Sequence, residues 1–137
     1  MATPERNLAT ARRWLLEVFN SHDLDAIPEI ISPDYRNYGT TDQVGVEAGR
    51  TVITQTDEWS PDSRIEIVYD AASDDLVLVL FTLSGTHTGK FADIEASNRP
   101  FSVHLADVFR FDDDGMMIEG WVIGKGDLQL ALADAAS

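Results

Sequence analysis

The spacing of apolar residues predicts helices in the first part of the chain. Between residues 5 and 20 apolar side chains recur every three or four positions, from Leu8 to Phe19, which indicates an amphipathic helix. Thr3, followed by proline and glutamate, supplies a start signal for this helix. A weaker helical pattern runs from Gly45 to Trp59 and ends at a Ser-Pro pair.

The segment between these two helices carries a mixed signal. Residues 22–32, HDLDAIPEIIS, predict a short second helix that Asp23 caps and that restarts or bends at Pro28. Pro33 is expected to end this helix. In residues 34–39, DYRNYG, Tyr35, Asn37 and Gly39 alternate with Arg36 and Tyr38. This alternation predicts a short strand or extended arm.

After the third helix the period changes from helical to alternating. This change predicts four strands, at residues 64–70, 76–87, 101–111 and 116–124. The last two strands are joined by residues 112–115, Asp-Asp-Asp-Gly, which is a strong hairpin signal. Helices followed by antiparallel strands favour one α+β domain over the whole chain, in which helices cover one face of a curved sheet.

The predicted hairpin decides which side chains share a face. With residues 112–115 as the turn, Phe111 lies opposite Met116 and Asp107 lies opposite Gly120. Glycines inside strands mark sheet bends or the close approach of a ligand. One face then carries aliphatic residues and two glycines around one carboxylate: Val103, Leu105, Asp107, Phe109, Ile118, Gly120, Val122 and Gly124.

Two other segments extend this face. The arm at residues 34–39 turns Tyr35 and Asn37 to one side, and Asn37 can offer both a donor and an acceptor. The strand at residues 76–87 is placed beside Asp107 by a similar set of side chains. That set is Val79, Phe81, Leu83, Gly85 and His87.

Composition and charge restrict the partners. The chain has 24 acidic against 10 basic residues, a net charge of −14, which argues against nucleic acids and anionic membrane surfaces. It has no cysteine, and its three histidines show no local metal spacing, so neither a metal nor a cofactor is expected. The chain shows neither a secretory leader nor an apolar run of bilayer length, so a cytoplasmic protein that binds small molecules is expected.

Five stretches carry a family resemblance: FNSHDLDAI, SPDYRNYG, GTHTGKF, EASNRPF and DVFRFDDDGMMIEGW. In this order they resemble the SnoaL-like polyketide cyclase family within the nuclear transport factor two-like superfamily of cone-shaped α+β folds. The resemblance covers most of the chain. It implies a cup of helices and sheet around an apolar cavity, and a homodimer.

The resemblance also brings departures at the family's acidic positions. The position resembling the cyclase acid after the last-strand Trp is Val122, and an acid often found three places further corresponds to Lys125. The context of Asp107, LADVFRF, is similar to the oxyanion-hole strand of ketosteroid isomerase. The positions resembling that enzyme's Tyr donor and Asp base are Trp14 and Gly39, so that isomerase chemistry is not expected.

The residues and the resemblance together predict a site. Asp107 is the candidate acid/base, because burial among apolar neighbours raises the pKa of a carboxyl group. His87 and Asn37 are candidates for orienting or polarising a substrate carbonyl. The candidate substrate-binding residues are mostly aromatic and aliphatic: Trp14, Tyr35, Trp59, Phe81, Leu83, Leu105, Phe109, Gly120 and Val122.

The predicted function is that of a cofactor-independent SnoaL-like enzyme acting on a small apolar carbonyl-bearing or aromatic, polyketide-like molecule. Cyclisation, isomerisation and hydration or hydroxylation would all fit this site. The alternative is a non-catalytic binding module of the same fold, which the residues at positions 122, 125 and 39 permit. For the single residues, the alternatives are that Asp107 only hydrogen-bonds a neighbour and that His87 lies at the rim or surface. A third function, epoxide hydrolysis, requires a second carboxylate and an arginine beside Asp107, where Leu105 occupies the nearest position on the same face.

Overall fold

One five-stranded sheet, crossed by helices on one side, organises the chain in a computed structural model that describes residues 2–136. Its elements follow in chain order. They are α1 (Pro4–Arg13), a π-helical continuation (Trp14–Asn20), a 3₁₀ turn (Leu24–Ala26), α2 (Ile27–Ile30), β1 (Ile31–Tyr38), α3 (Val46–Trp59), β2 (Arg64–Ser73), β3 (Leu76–Thr86), β4 (Pro100–Phe111), β5 (Met117–Ile123) and α4 (Lys125–Ala136).

The first and third predicted helices are confirmed. The Thr3 side chain accepts a hydrogen bond from the Arg6 backbone N–H at 3.2 Å, which satisfies one of the free donors at the start of α1. The apolar stripe then continues through the π-helical segment, where Trp14, Leu15 and Val18 are buried. The stripe therefore packs the helix against the sheet, as its periodicity predicts.

The short second helix differs from its prediction in two respects. The Asp23 side chain makes no capping hydrogen bond, and the helix ends at Ile30 because Ile31 already pairs with Met117 in the sheet. Pro33 consequently lies inside β1 and does not end the helix. The restart at Pro28 is confirmed, since a proline in the first turn of α2 needs no hydrogen bond there.

The sheet has the order β1-β5-β4-β3-β2 and is curved but not closed. The β2–β3, β3–β4 and β4–β5 pairs are antiparallel, as predicted, whereas β1 joins β5 in parallel. The pairing slips between Ile67 and Tyr69 and between Arg110 and Phe111, and such irregularities bend a sheet. The predicted α+β class with a curved, helix-covered sheet is confirmed.

The predicted hairpin register is wrong, although the face predicted for Asp107 is right. Phe111 pairs with Met117, and after the irregularity Asp107 pairs with Val122 where Gly120 was expected. The total displacement is two residues. Because side chains alternate with a period of two, Asp107, Phe109, Gly120 and Val122 stay on their predicted face. At Phe111 the displacement is only one residue, so Met117, predicted to lie on the opposite face, pairs with Phe111 and is fully buried.

The alternation along β3 shows where the core lies. Val77 and Val79 are buried on the helix-covered face, whereas Leu78 and Leu80 are exposed on the other face. None of the helices between residues 2 and 136 combines the length and the apolar content needed to cross a membrane.

Candidate functional site

A cavity lies between the helices and the inner face of the sheet. Its empty volume is about 740 Å³, part of which is open to solvent. Helices contribute one side of its wall and strands β2, β3, β4 and β5 the other, and Thr40 and Phe91 reach it from loops. The lining residues are Trp14, Leu15, Phe19, Thr40, Val52, Gln55, Thr56, Trp59, Ile65, Phe81, Leu83, Phe91, Leu105, Asp107, Val122, Lys125 and Leu128.

Asp107 is the one carboxylate in this wall among the described residues. It is 7% exposed, and its Oδ1 atom has no hydrogen-bond partner within the described part of the chain. Its cross-strand neighbours, Val79 on β3 and Val122 on β5, are both apolar. Burial therefore raises the pKa of Asp107 from 3.8 to about 7.

The pairing of Asp107 with Val122 places Asp107 beside the position where the family resemblance implies a catalytic acid. Val122 occupies the position that resembles the cyclase acid, and it lines the same cavity. Directly opposed residues of neighbouring strands have Cβ atoms about 4.5–5.5 Å apart. The carboxyl group of Asp107 thus stands one strand away from the position where the resemblance places an acid, in the same wall.

Tyr35 and Asn37 lie together on β1, outside the set of lining residues. The Asn37 Nδ2 atom donates to the Tyr35 hydroxyl at 3.1 Å, and the Asn37 Oδ1 atom is buried without a partner among residues 2–136. Burial raises the pKa of Tyr35; the Asn37 hydrogen bond opposes this rise, and the nearby Asp107 carboxylate adds to it. These two side chains are therefore buried near Asp107 but do not form part of the cavity wall.

Gly120 explains how the Tyr35 hydroxyl fits against the sheet. A Cβ atom at position 120 would lie 2.4 Å from the hydroxyl oxygen of Tyr35, closer than van der Waals contact allows. The sequence predicts Gly120 as a substrate-binding residue, with room above it for a ligand. In the structure Tyr35 occupies it, and neither Gly120 nor Phe109 lines the cavity.

His87 lies deeper than a rim residue would. It is fully buried, and neither ring nitrogen has a hydrogen-bond partner in the described part of the chain. Its ring packs edge-on against Trp59 with the ring centroids 6.3 Å apart, and Trp59 lines the cavity whereas His87 does not. The structure therefore does not bring His87 to Asp107 in the cavity wall.

Of the residues singled out from the sequence, seven line the cavity: Asp107, Trp14, Trp59, Phe81, Leu83, Leu105 and Val122. Lining residues that sequence reasoning missed include Gln55, Thr56 and Phe91. Helical spacing could have identified Gln55 and Thr56, because residues three, four and seven positions apart share a face. Along α3 these two residues share a face with Val52 and Trp59. Phe91 stands in an irregular loop, where no periodicity marks it.

The lining set also bears on epoxide hydrolysis. Among the described residues it contains neither a second carboxylate nor an arginine, which that chemistry was expected to require beside Asp107. Within residues 2–136 no group of three or more His, Asp or Glu side chains is arranged to hold a metal ion.

Solved structures place the fold in a known class. TsrD from Streptomyces laurentii superposes with a TM-score of 0.84 at 23% identity, covering 100% of both chains. The proposed hydroxylase AclR from Streptomyces galilaeus gives a TM-score of 0.77 at 25% identity, over 96% of this chain and 83% of its own. IdmH from Streptomyces antibioticus, a proposed polyketide cyclase, gives 0.73 at 26% identity, over 97% of this chain and 99% of its own.

The fold and the cavity thus define a cone-shaped α+β protein of the nuclear transport factor two-like class. The model of the SnoaL-like polyketide cyclase family matches residues 9–126, and the chain belongs to that family. The predicted membership is thereby confirmed. No curated protein matches the chain.

Proposed function

We propose that this protein is a cofactor-independent enzyme that binds a small, largely apolar carbonyl-bearing or aromatic molecule and acts on it by acid/base chemistry at Asp107. The observation that carries the proposal is the single carboxyl group in an otherwise mainly apolar cavity wall, buried and without a partner at Oδ1 among the described residues. Family membership supports a ligand of the polyketide kind.

The chemistry follows from the state of the carboxyl group. With a pKa of about 7, Asp107 is about half ionised at neutral pH, so it can both accept and return a proton. The carboxylate would take a proton from the carbon next to a substrate carbonyl, which gives an enolate. Attack of the enolate carbon on a second carbonyl would then form the new carbon–carbon bond of a ring and leave an alkoxide, to which the protonated Asp107 would return the proton. Return of the proton to the enolate itself would instead give exchange or isomerisation without ring closure.

A binding module without catalysis is the second candidate. Two observations favour it: Asn37 and His87 lie outside the lining set, and no titratable side chain within residues 2–136 makes a hydrogen bond to Asp107. The two candidates differ in one measurable respect, which is whether Asp107 moves protons on a bound ligand.

Deuterium exchange on a model ketone tests this difference. 2-Tetralone is an aromatic ketone of suitable size with exchangeable protons next to its carbonyl, and proton NMR in D₂O follows their loss. We expect the wild-type protein to accelerate exchange over buffer and Asp107→Asn to lower the enzymatic rate by about 100-fold or more. Asp62→Asn, which removes an exposed carboxylate outside the cavity wall, is the matched control and should retain the wild-type rate.

The outcomes separate the candidates. An Asp107→Asn variant that exchanges as fast as the wild type would refute the acid/base assignment. Binding of 2-tetralone by the wild type with exchange no faster than buffer would support the binding module.

We also propose that the outer face of the sheet pairs with a second copy of the chain. Leu78 and Ile123 are 52% and 54% exposed there, and His104 lies on the same face beside Thr82, with Nδ1 and Oγ1 3.2 Å apart. Apolar side chains flanked by such polar groups are typical of subunit interfaces. Sedimentation equilibrium should give the dimer mass, and a monomer mass at all concentrations would contradict the pairing.

A further inference from the structure

Lys125 is a cation in the wall of the same cavity. It follows Gly124, whose φ of +103° allows the chain to turn sharply from β5 into α4, and it is the first residue of that helix. The side chain is half-buried, and its Nζ atom donates to the Gly39 carbonyl. An ammonium group has three N–H donors, so two remain for other partners.

This placement of a lysine is unfavourable on several counts. The chain has 24 acidic against 10 basic residues, yet Lys125 forms no salt bridge with any carboxylate between residues 2 and 136. A positive charge in the first turn of a helix opposes the helix dipole. Burial adds to these effects by lowering the pKa of Lys125. An anion bound next to Lys125 would offset all three.

The cavity offers the room for such an anion. Lys125 and Asp107 line the same space, and Val122 and Leu128 provide apolar wall beside the lysine. Asp107 forms no salt bridge with Lys125 in the described part of the chain, so each side chain lines the cavity without the other as a partner. The buried Oδ1 atom of Asp107, without a partner in the described residues, independently indicates that the cavity is built for a polar ligand group.

We propose that Lys125 binds a carboxylate group of the ligand, so that the substrate class is an apolar or aromatic molecule carrying both a carboxylate and a reactive carbonyl. The carboxylate is held at Lys125, and the carbonyl end lies at Asp107. This inference rests on the proposed function insofar as it takes the cavity to be the ligand site. It does not depend on Asp107 being catalytic.

A pair of probes of equal shape tests the inference by calorimetry: 2-naphthoate, which carries the carboxylate, and 2-naphthamide, which is neutral. The wild-type protein should bind 2-naphthoate more tightly, and Lys125→Met should weaken 2-naphthoate by about tenfold while leaving 2-naphthamide unchanged. Lys125→Arg should keep the preference for the anion. Lys90→Met, which removes an exposed lysine outside the cavity wall, is the matched control and should behave as the wild type.

Three results would overturn the inference. The first is a wild-type protein that shows no preference for 2-naphthoate. The second is an equal loss of affinity for both probes in Lys125→Met, which would show that Lys125 acts only through its hydrogen bond to the Gly39 carbonyl. The third is binding of neither probe to the wild type, which would also refute the cavity as a site for such ligands. A failure of the proposed acid/base role can be told apart from these results. It would appear as 2-tetralone exchange that is as fast in Asp107→Asn as in the wild type, while the wild-type protein still prefers 2-naphthoate.

Discussion

Replacement of Asp107 by asparagine isolates the effect of one buried carboxyl group on the stability of the fold. The side chains have the same shape, but only aspartate can ionise. Because burial raises the pKa of Asp107 from 3.8 to about 7, the folded protein holds a proton at pH values where the unfolded chain has already lost it. The stability of the wild type must therefore depend on pH in a way that the variant does not share.

The sign and size of the effect follow from proton linkage. Below pH 3.8 Asp107 is protonated in both the folded and the unfolded protein, so it does not make stability depend on pH. Between pH 3.8 and 7 only the folded protein keeps this proton, so the free energy of unfolding falls as the pH rises. Above pH 7 both states are ionised and the loss is complete. The difference between 3.8 and about 7, at about 1.4 kcal/mol for each unit of pKa, corresponds to about 4 kcal/mol in total. Of this, about 3 kcal/mol falls between pH 5 and pH 8.

Urea unfolding of both proteins at several values from pH 5 to pH 8 measures the effect. We expect the free energy of unfolding of Asp107→Asn, minus that of the wild type, to rise by about 3 kcal/mol across this range. Because the two proteins share all other titrating groups, the contributions of those groups to the free energy of unfolding cancel in this difference. Asp62→Asn serves as the control, because hydrogen bonds from Thr86 lower the pKa of Asp62 and confine its contribution to acid pH. A difference that stays flat from pH 5 to pH 8 would refute the raised pKa of Asp107 and the proton-transfer role built on it.

Two substitutions test the packing around the site, both by urea unfolding. Gly120→Ala should lower the free energy of unfolding by about 1–3 kcal/mol, because its Cβ would lie 2.4 Å from the Tyr35 hydroxyl, whereas Gly126→Ala meets open space and should not destabilise. An unaffected Gly120→Ala protein would contradict this packing. His87→Leu should raise the free energy of unfolding by about 1 kcal/mol, because it removes buried ring nitrogens that lack partners within residues 2–136. Destabilisation instead would show that the ring has a partner.

Much of the candidate site could be predicted along strands and helices, where position in a period fixes the face. Phe81, Leu83 and Leu105 were placed on the inner face by alternation alone, and Asp107 stands among them as predicted. Phe91 could not be predicted in this way, because it reaches the cavity from a loop without a period.

The register of the last hairpin shows a second limit. Its prediction assumed a four-residue turn and an unbroken pairing, whereas Phe111 pairs with Met117 and the irregularity between Arg110 and Phe111 adds a second residue of displacement, so that Asp107 pairs with Val122. Such irregularities depend on how a sheet bends against its helices, which no local pattern reports. The predicted face of Asp107 is right only because the displacement at that position is an even number of residues.

The sequence by itself determined the α+β class, the family resemblance and the position of one carboxyl group on an apolar strand face. Those features follow from periodicity and residue type, which are local properties. Only the tertiary structure decided that Tyr35 fills the space above Gly120, that His87 is buried against Trp59 outside the cavity wall, and that Lys125 lines the cavity. These facts depend on contacts between segments far apart in the chain, where packing and burial, not sequence spacing, decide which side chains meet.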